Sequence, residues 1–195
     1  MRSYISDRIR EAEQVRSEML SDPTLLANIE EVTSHLWSVV AAGGSIYFCG
    51  NGGSAADAQH LATELSGRFL LDRKAIKAEA LGTNMAFTTA VANDFNFDSI
   101  FARSLEALGR AGDALVLLST SGKSKNVLAA AAQAKQMNIS TIAMTGAAGS
   151  QLTDLCDHSI VVPSTSVPRI QEATMLIGHI ICEHLESTLV STYGK

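Results

Sequence analysis

Apolar residues near the start of the chain recur every three or four positions, which is the spacing of one helical face. One such stripe covers residues 5–19, and a second covers residues 26–40. Between them, Asp22 is suited to capping a new helix and Pro23 to its first turn, while Gly43-Gly44 is suited to ending that helix. Two amphipathic helices are therefore predicted before the first strand.

From residue 45 onwards, short apolar runs alternate with segments of helical periodicity. The runs predict strands at 45–49, 75–81, 114–118, 140–145 and 159–162. The periodic segments predict helices at about 54–67, 84–92, 98–108, 125–137, 150–155 and 169–189. Strands that are apolar on both faces and separated by helices are typical of a parallel sheet covered on both sides. The predicted fold is α/β: a doubly wound, five-stranded parallel sheet with flanking helices and extra N-terminal helices.

The chain of 195 residues has the length of one domain. It contains no internal repeat and no linker rich in Pro or Gly, so residues 1–195 are predicted to form a single domain with a helical extension at 1–43. The two N-terminal helices and the long last helix exceed what the sheet needs. We therefore expect them to pack against neighbouring subunits as well.

The composition is globular, with 46% hydrophobic and 18% charged residues. A net charge of -5 without a basic cluster does not indicate a nucleic-acid surface. No apolar run is long enough to cross a bilayer, and residues 1–20 lack the apolar core of a signal peptide. The widely spaced Cys49, Cys156 and Cys182 fit reduced thiols better than a disulfide framework. These features predict a cytoplasmic protein with no membrane partner.

The segment at residues 49–55 joins the first predicted strand to its helix and contains Gly50, Gly52 and Gly53. It matches the dinucleotide pattern G-x-G-x-x-A, but the second strand ends in residues 81–83 without the acidic residue that such a site needs. The segment is either a tight turn or a ligand loop. A ligand loop is favoured because ligands bind at the carboxyl ends of such strands, and no nucleotide cofactor is predicted.

The following helix carries Asp57, His60 and Glu64 at spacings of three and four, which places them on one face. His60 and Glu64 can bind one metal ion or hydrogen-bond one substrate. The alternative is a solvated polar stripe with no ligand. The position of the stripe just inside the first loop favours a functional role.

A second loop, at residues 119–124, follows an apolar strand and precedes a helix. It reads Ser-Thr-Ser-Gly-Lys-Ser and concentrates hydroxyls and N–H groups where a helix dipole is positive. The spacing is not that of a P-loop. One helix cap needs one hydroxyl and this loop offers four, so phosphate binding is favoured over simple capping.

Two further sets of polar residues are candidates. Asn93-Asp94 either lines the same ligand site or forms a helix C-cap and turn. On the last helix, Gln171 and His179 are eight residues apart, about 12 Å of rise, so one metal ion touches both only at the limit of their reach. His179 has isoleucine neighbours, so burial in the core is the alternative for that residue.

Together these residues resemble the SIS (sugar isomerase) family and, within it, the phosphoheptose isomerase branch. The matching segments lie in the expected order over most of the chain: 50–54, 57–60, 64–68, 93–95, 119–124, 169–172 and His179. The resemblance implies a homotetramer with active sites at subunit contacts. It implies an aldose–ketose isomerase that converts sedoheptulose 7-phosphate to D-glycero-D-manno-heptose 7-phosphate through an enediol, an early step towards bacterial heptose nucleotides and lipopolysaccharide.

The resemblance also assigns roles to individual residues. It implies Glu64 as the base and His179 as the acid, and a zinc ion held by His60, Glu64, Gln171 and His179. It implies contacts with the sugar phosphate from a larger set: Asn51, Gly52, Gly53, Glu64, Asn93, Asp94, Ser119, Thr120, Ser121, Ser124 and Gln171. The alternative is a non-catalytic binding protein of the same fold, either a DnaA-associating replication factor or a sugar-phosphate sensor. The resemblance implies that the replication-factor branch lacks the histidine found here at position 179, which favours the enzyme.

Overall fold

The computed structural model describes residues 1–194 and contains one five-stranded, all-parallel sheet. The strands are β1 (Ile46–Gly50), β2 (Ala78–Ala80), β3 (Ala114–Ser119), β4 (Ser140–Gly146) and β5 (His158–Val162). Their order across the sheet is β2-β1-β3-β4-β5. The predicted fold class is therefore confirmed. The order reverses direction between β1 and β3, which places a ligand crevice outside the carboxyl ends of these two strands.

Within residues 1–194, eight α-helices accompany the strands. They are α1 (Arg2–Ser21), α2 (Pro23–Ala41), α3 (Gly53–Ser66), α4 (Met85–Asp94), α5 (Ile100–Leu108), α6 (Lys125–Gln136), α7 (Ser150–Thr153) and α8 (Val167–Tyr193). Among residues 1–194, no helix combines the length and the apolar character that a bilayer crossing requires.

The predicted element boundaries differ from the structure by a residue or two at most elements, and three differences are informative. The strand predicted at 75–81 is only three residues long, because Ile76 N–H donates to the Leu65 carbonyl and holds the preceding segment on α3. The helix predicted at 98–108 begins as a 3₁₀ turn before α5. Helix α8 extends four residues further than predicted, and Pro168 stands in its first turn, where a missing N–H costs nothing.

The core consists of two layers, one on each face of the sheet. Alternate residues of each strand point to opposite faces, so Phe48 joins one layer and Cys49 the other. The first layer packs α2, α3 and α8 against the sheet and includes Leu36 and Ile177. The second packs α5 and α6 and includes Leu105. Helices α3 and α8 are thereby fixed side by side on one face of the sheet.

The N-terminal extension packs on this domain through only part of its surface. Asp22 accepts hydrogen bonds from Thr24 N–H (2.9 Å) and Leu25 N–H (3.1 Å), so the predicted break and cap between α1 and α2 are present. Val15 and Met19 of α1 join the first core layer. The N-terminal half of α1 is exposed, including Tyr4, Ile5 and Ile9.

Candidate active site

The two predicted ligand loops lie beside each other at the crevice. Asn51, in the loop after β1, exchanges two hydrogen bonds of 2.8 Å with Asn126 in the first turn of α6. Gly52 adopts a φ of +56°, which favours glycine, and Gly53 opens α3. The amide pair therefore fixes the glycine loop against the start of the helix that follows the serine loop.

The serine loop at residues 119–124 has its hydroxyls free of helix capping. Ser124 stands at the N-cap of α6, but its side chain makes no cap hydrogen bond and instead lies 3.3 Å from the Ser119 hydroxyl. Thr145 donates a 2.6 Å hydrogen bond to the Ser119 carbonyl and anchors the loop to β4. The capping explanation fails for Ser124, and the loop lies at the positive end of α6.

Gly122 gives this loop its shape. Its φ is +64°, and a side chain there would collide with Gly149, since a Cβ would lie 2.5 Å from the Gly149 Cα. Gly149 in turn has no room for a side chain because Thr145 lies against it. The loop after β3 and the loop after β4 are thus closely packed at a point where only glycine fits.

His60, Glu64 and His179 form one cluster between α3 and α8. The His60 Nε2 lies 3.1 Å from Glu64 Oε1 and 3.1 Å from His179 Nε2. One ligand atom from each of the three side chains lies within 4.8 Å of the others. His179 is partly exposed and is not a core histidine. Its ring stacks on Phe69, with the ring centroids 5.5 Å apart.

Asp57 lies one turn before His60 and has an unusual environment. Its Oδ2 atom is buried and has no hydrogen-bond partner within residues 1–194. Burial raises the pKa of this carboxyl, and the charge of His60 opposes that rise. A buried carboxylate oxygen without a partner is costly, and the raised pKa reflects this cost.

Small residues explain how closely α3 and α8 approach. Gly178 packs on Leu61, and a Cβ at Gly178 would lie 2.6 Å from that side chain. One end of the contact brings the Gln171 amide against Gly53, and the other brings His179 to His60. The two helices therefore run in the same direction, with Gln171 at the crevice and the histidines about two turns further along.

The remaining predicted residues lie on α4. Asn93 and Asp94 are exposed in its last turn, and the Asn93 amide donates a 2.9 Å hydrogen bond to Asp94. Within residues 1–194 neither side chain bonds to the glycine loop or to the serine loop. Their predicted contact with the substrate therefore stays a prediction.

Several residues that shape the site were not found from the sequence. Asn126, Thr145 and Gly149 hold the two loops, and Phe69 supports His179. Only Asn126 gave a local signal, as a polar residue in the first turn of a helix. The others act across 25 residues or more of sequence, so spacing alone did not indicate them.

Comparison with known proteins identifies relatives over nearly the whole chain. The family model described as SIS domain matches residues 9–146. A phosphoheptose isomerase of Burkholderia pseudomallei (strain 1710b) is 42% identical over 193 residues, covering 99% of this chain and 96% of the relative. One from Rhodospirillum rubrum is 49% identical over 163 residues, covering 84% and 87%. The solved structure of phosphoheptose isomerase from Neisseria gonorrhoeae is similar with a TM-score of 0.89 at 34% identity, covering 95% and 98%.

Proposed function

The chain belongs to the SIS-domain family and to its phosphoheptose isomerases, and on this basis we propose that it converts sedoheptulose 7-phosphate to D-glycero-D-manno-heptose 7-phosphate in the cytoplasm. The observation that carries the proposal is the meeting of Glu64 and His179 in one cluster. An enediol route needs both a base and an acid, because a proton must leave C1 while the C2 oxygen is protonated. Here the two candidate groups come from different helices.

The serine loop is the proposed phosphate site. Ser119, Thr120, Ser121 and Ser124 offer hydroxyls at the start of α6, where the helix dipole favours an anion. The protein has a net charge of -5, so this local site must supply the attraction for a charged substrate. The glycine loop with Asn51, Gly52 and Gly53 supplies further backbone N–H groups beside it, because the Asn51–Asn126 pair holds the two loops together.

Replacing Ser121 by alanine is expected to raise KM for the sugar phosphate about tenfold and to leave kcat within about twofold. A hydrogen bond to a charged group contributes about 1.5–3 kcal/mol, and the exposed Ser121 side chain has little part in folding. Steady-state kinetics measure both constants. Ser191→Ala, at an exposed serine near the end of α8, is the matched control. An unchanged KM for Ser121→Ala would remove Ser121 from the phosphate site.

The proposed acid–base pair is Glu64 as base and His179 as acid. The two side chains come from helices on one side of the sheet and are linked through His60, which is 3.1 Å from each. Glu64 has the carboxylate needed to accept the C1 proton, and His179 has a ring N–H to donate to the C2 oxygen. In this chain His60 lies between the two side chains.

The same cluster fits a divalent metal ion. A tetrahedral zinc ion with bonds of about 2.0–2.1 Å places neighbouring nitrogen ligands about 3.3 Å apart. The two 3.1 Å separations at His60 are close to that value, and the donors are two imidazoles and a carboxylate. We propose that His60, Glu64 and His179 hold one zinc ion per subunit. When bound, it would polarise the substrate carbonyl.

The two predicted roles of Gln171 are not equally supported by its position. Its amide lies against Gly53 at the crevice end of α3. Its separation of eight residues from His179 corresponds to about 12 Å along α8. Contact with the substrate therefore fits this side chain better than a fourth position on the metal, and its place in the ligand set stays a prediction.

The proposed assembly is a homotetramer in which residues 1–43 also pack on neighbouring subunits. Tyr4, Ile5 and Ile9 on α1 and Ile180 on α8 are exposed apolar side chains, and α1 and α8 are in contact. The geometry also suggests that residues from two subunits together form each active site. Glu64 is eleven residues from Gly53, about 16 Å along α3, so the phosphate end and the acid–base end of one chain are well separated.

Light scattering at micromolar concentration is expected to give the mass of four chains. Ile5→Arg combined with Ile9→Arg should lower that mass, because two charges would be buried without partners in the interface. Met85→Arg, at an exposed apolar position on α4, is the control and should leave the mass unchanged. A monomer for the unmodified chain would contradict the assembly.

The experiment that tests the activity is incubation with sedoheptulose 7-phosphate and observation of the aldose product by NMR. Turnover supports the enzyme over the alternative, a non-catalytic binding protein of the same fold. The presence of Glu64 and His179 in one cluster already favours the enzyme, because a binding protein has no need of that pair. Absence of turnover with metal supplied would reject the proposed function.

A further inference from the structure

A buried ion pair lies behind the acid–base cluster. The carboxylate of Glu186, on α8, is 1% exposed, and the side chain of Arg73 is 0% exposed. Arg73 Nε donates to Glu186 Oε1 at 3.1 Å. Glu186 is seven residues after His179, which is two turns along the same face of α8. A charged pair buried this deeply requires every polar atom to be satisfied.

Glu186 uses its two oxygens to fix the loop that follows α3. Oε1 accepts from Phe69 N–H at 3.1 Å, and Oε2 accepts from Leu70 N–H at 2.7 Å and Leu71 N–H at 2.8 Å. Burial raises the pKa of Glu186, but the three backbone N–H groups and the Arg73 guanidinium lower it by more, so the net pKa lies below its usual value. The group is therefore an ionised acceptor at neutral pH.

Arg73, the other member of the ion pair, caps the C-terminal end of α3. Its Nη2 donates to the Glu64 carbonyl at 2.8 Å, and its Nη1 donates to the Leu65 carbonyl at 2.8 Å. The last carbonyls of a helix lack partners within the helix, and a positive charge there complements the dipole. One side chain thus joins the C-terminal turn of α3, which carries Glu64, to Glu186 on α8.

The loop held by this pair also reaches His179. Phe69 N–H is fixed by Glu186, and the Phe69 ring stacks on the His179 ring with an angle of 23° between the planes. The backbone of Glu64 and the ring of His179 are therefore both held by the same two buried residues, although neither Arg73 nor Glu186 belongs to the cluster itself.

We propose that Arg73 and Glu186 are positioning residues that set the spacing between Glu64 and His179. This inference rests on the proposed isomerase function. It predicts a specific kinetic signature, since the serine and glycine loops are held by Asn51, Asn126 and Thr145 and have no hydrogen bond to this pair. Disturbing the pair should slow proton transfer and leave phosphate binding intact.

Glu186→Gln is the first test. The new oxygen can still accept from Leu70 and Leu71, but the new amide NH₂ faces the Phe69 N–H and the Arg73 Nε–H, so donors meet donors. We expect kcat to fall about tenfold, in the range typical for loss of an outer-shell partner, with KM within about threefold. Circular dichroism verifies folding at the assay temperature.

Phe69→Leu is the second variant, and it tests the positioning role if Glu186→Gln does not fold. It keeps the buried ion pair and removes the ring that stacks on His179. We expect kcat to fall severalfold with an unchanged KM. Ile139→Ala is the matched control, because it removes packing from the core layer on the other face of the sheet. It should lower thermal stability without changing kcat.

The possible outcomes test the positioning role of Arg73 and Glu186 separately from the proposed isomerase function. A fall in kcat at constant KM, absent in Ile139→Ala, supports the positioning role. An unchanged kcat in folded Glu186→Gln, or in Phe69→Leu when the former does not fold, overturns it. So does an equal fall in kcat for Ile139→Ala, since general destabilisation would then explain the effect. No turnover by the unmodified chain rejects the isomerase function itself.

Discussion

Replacing Glu64 by glutamine is expected to lower kcat for sedoheptulose 7-phosphate about 10²-fold or more, which is the typical contribution of a positioned proton transfer. The amide has the same shape as the carboxylate and can still accept from His60, whose Nε2 is 3.1 Å away. The variant should therefore fold, assemble and bind phosphate normally while lacking a base. The loss corresponds to about 2.7 kcal/mol in activation free energy.

Two further measurements accompany this test of the base. Glu106→Gln, at an exposed glutamate on α5, removes the same charge away from the site and should leave kcat unchanged. Isomerisation by the unmodified chain in deuterated water should place solvent deuterium at C2 of the aldose, because the abstracted proton exchanges with solvent. Near-normal turnover by Glu64→Gln would defeat the assignment of Glu64.

Replacing His179 by asparagine is expected to have a comparable effect and to alter metal content as well. The change removes the proposed acid, which should lower kcat about 10²-fold. It also removes one of the three nitrogen and oxygen donors that lie within 4.8 Å of one another. Elemental analysis of protein purified without chelators should show about one zinc ion per subunit for the unmodified chain and much less for the variant.

His184 offers a matched control on the same helix. It is exposed, it lies five residues further along α8, and His184→Asn should change neither kcat nor zinc content. If the unmodified chain contains no metal and keeps full activity in EDTA, the metal assignment fails and the acid–base assignment stands alone. If His179→Asn loses only thermal stability and keeps its activity, His179 has a structural role and both assignments fail.

The serine loop and the stripe on α3 were within reach of the sequence because each is local. Residues 119–124 are contiguous, and an apolar strand before them and a helix after them fix their position. His60 and Glu64 are four residues apart on a helix, so helical geometry alone brings them onto one face, and the structure places them 3.1 Å apart. The same reasoning identified the cap at Asp22.

Contacts between segments that are distant in the sequence could not be predicted from local spacing. His60 and His179 are 119 residues apart, and on its own helix His179 could equally have been a core residue. Gly178 against Leu61 is what lets α8 approach α3, and a glycine within a helix gives no indication of its partner. The same limit applies to Arg73 and Glu186, because charged side chains are usually exposed and these two are buried.

The sequence by itself determined the α/β class, the number of strands, the two N-terminal helices and the position of the serine-rich loop at residues 119–124. These follow from periodicity, capping and turn chemistry, which act over a few residues. Only the tertiary structure decided that α3 and α8 lie side by side in the same direction and that the glycine loop and the serine loop are joined through Asn51 and Asn126. It also decided that Arg73 and Glu186 form a buried ion pair. Those features depend on strand order and side-chain packing, which bring together groups that no local spacing relates.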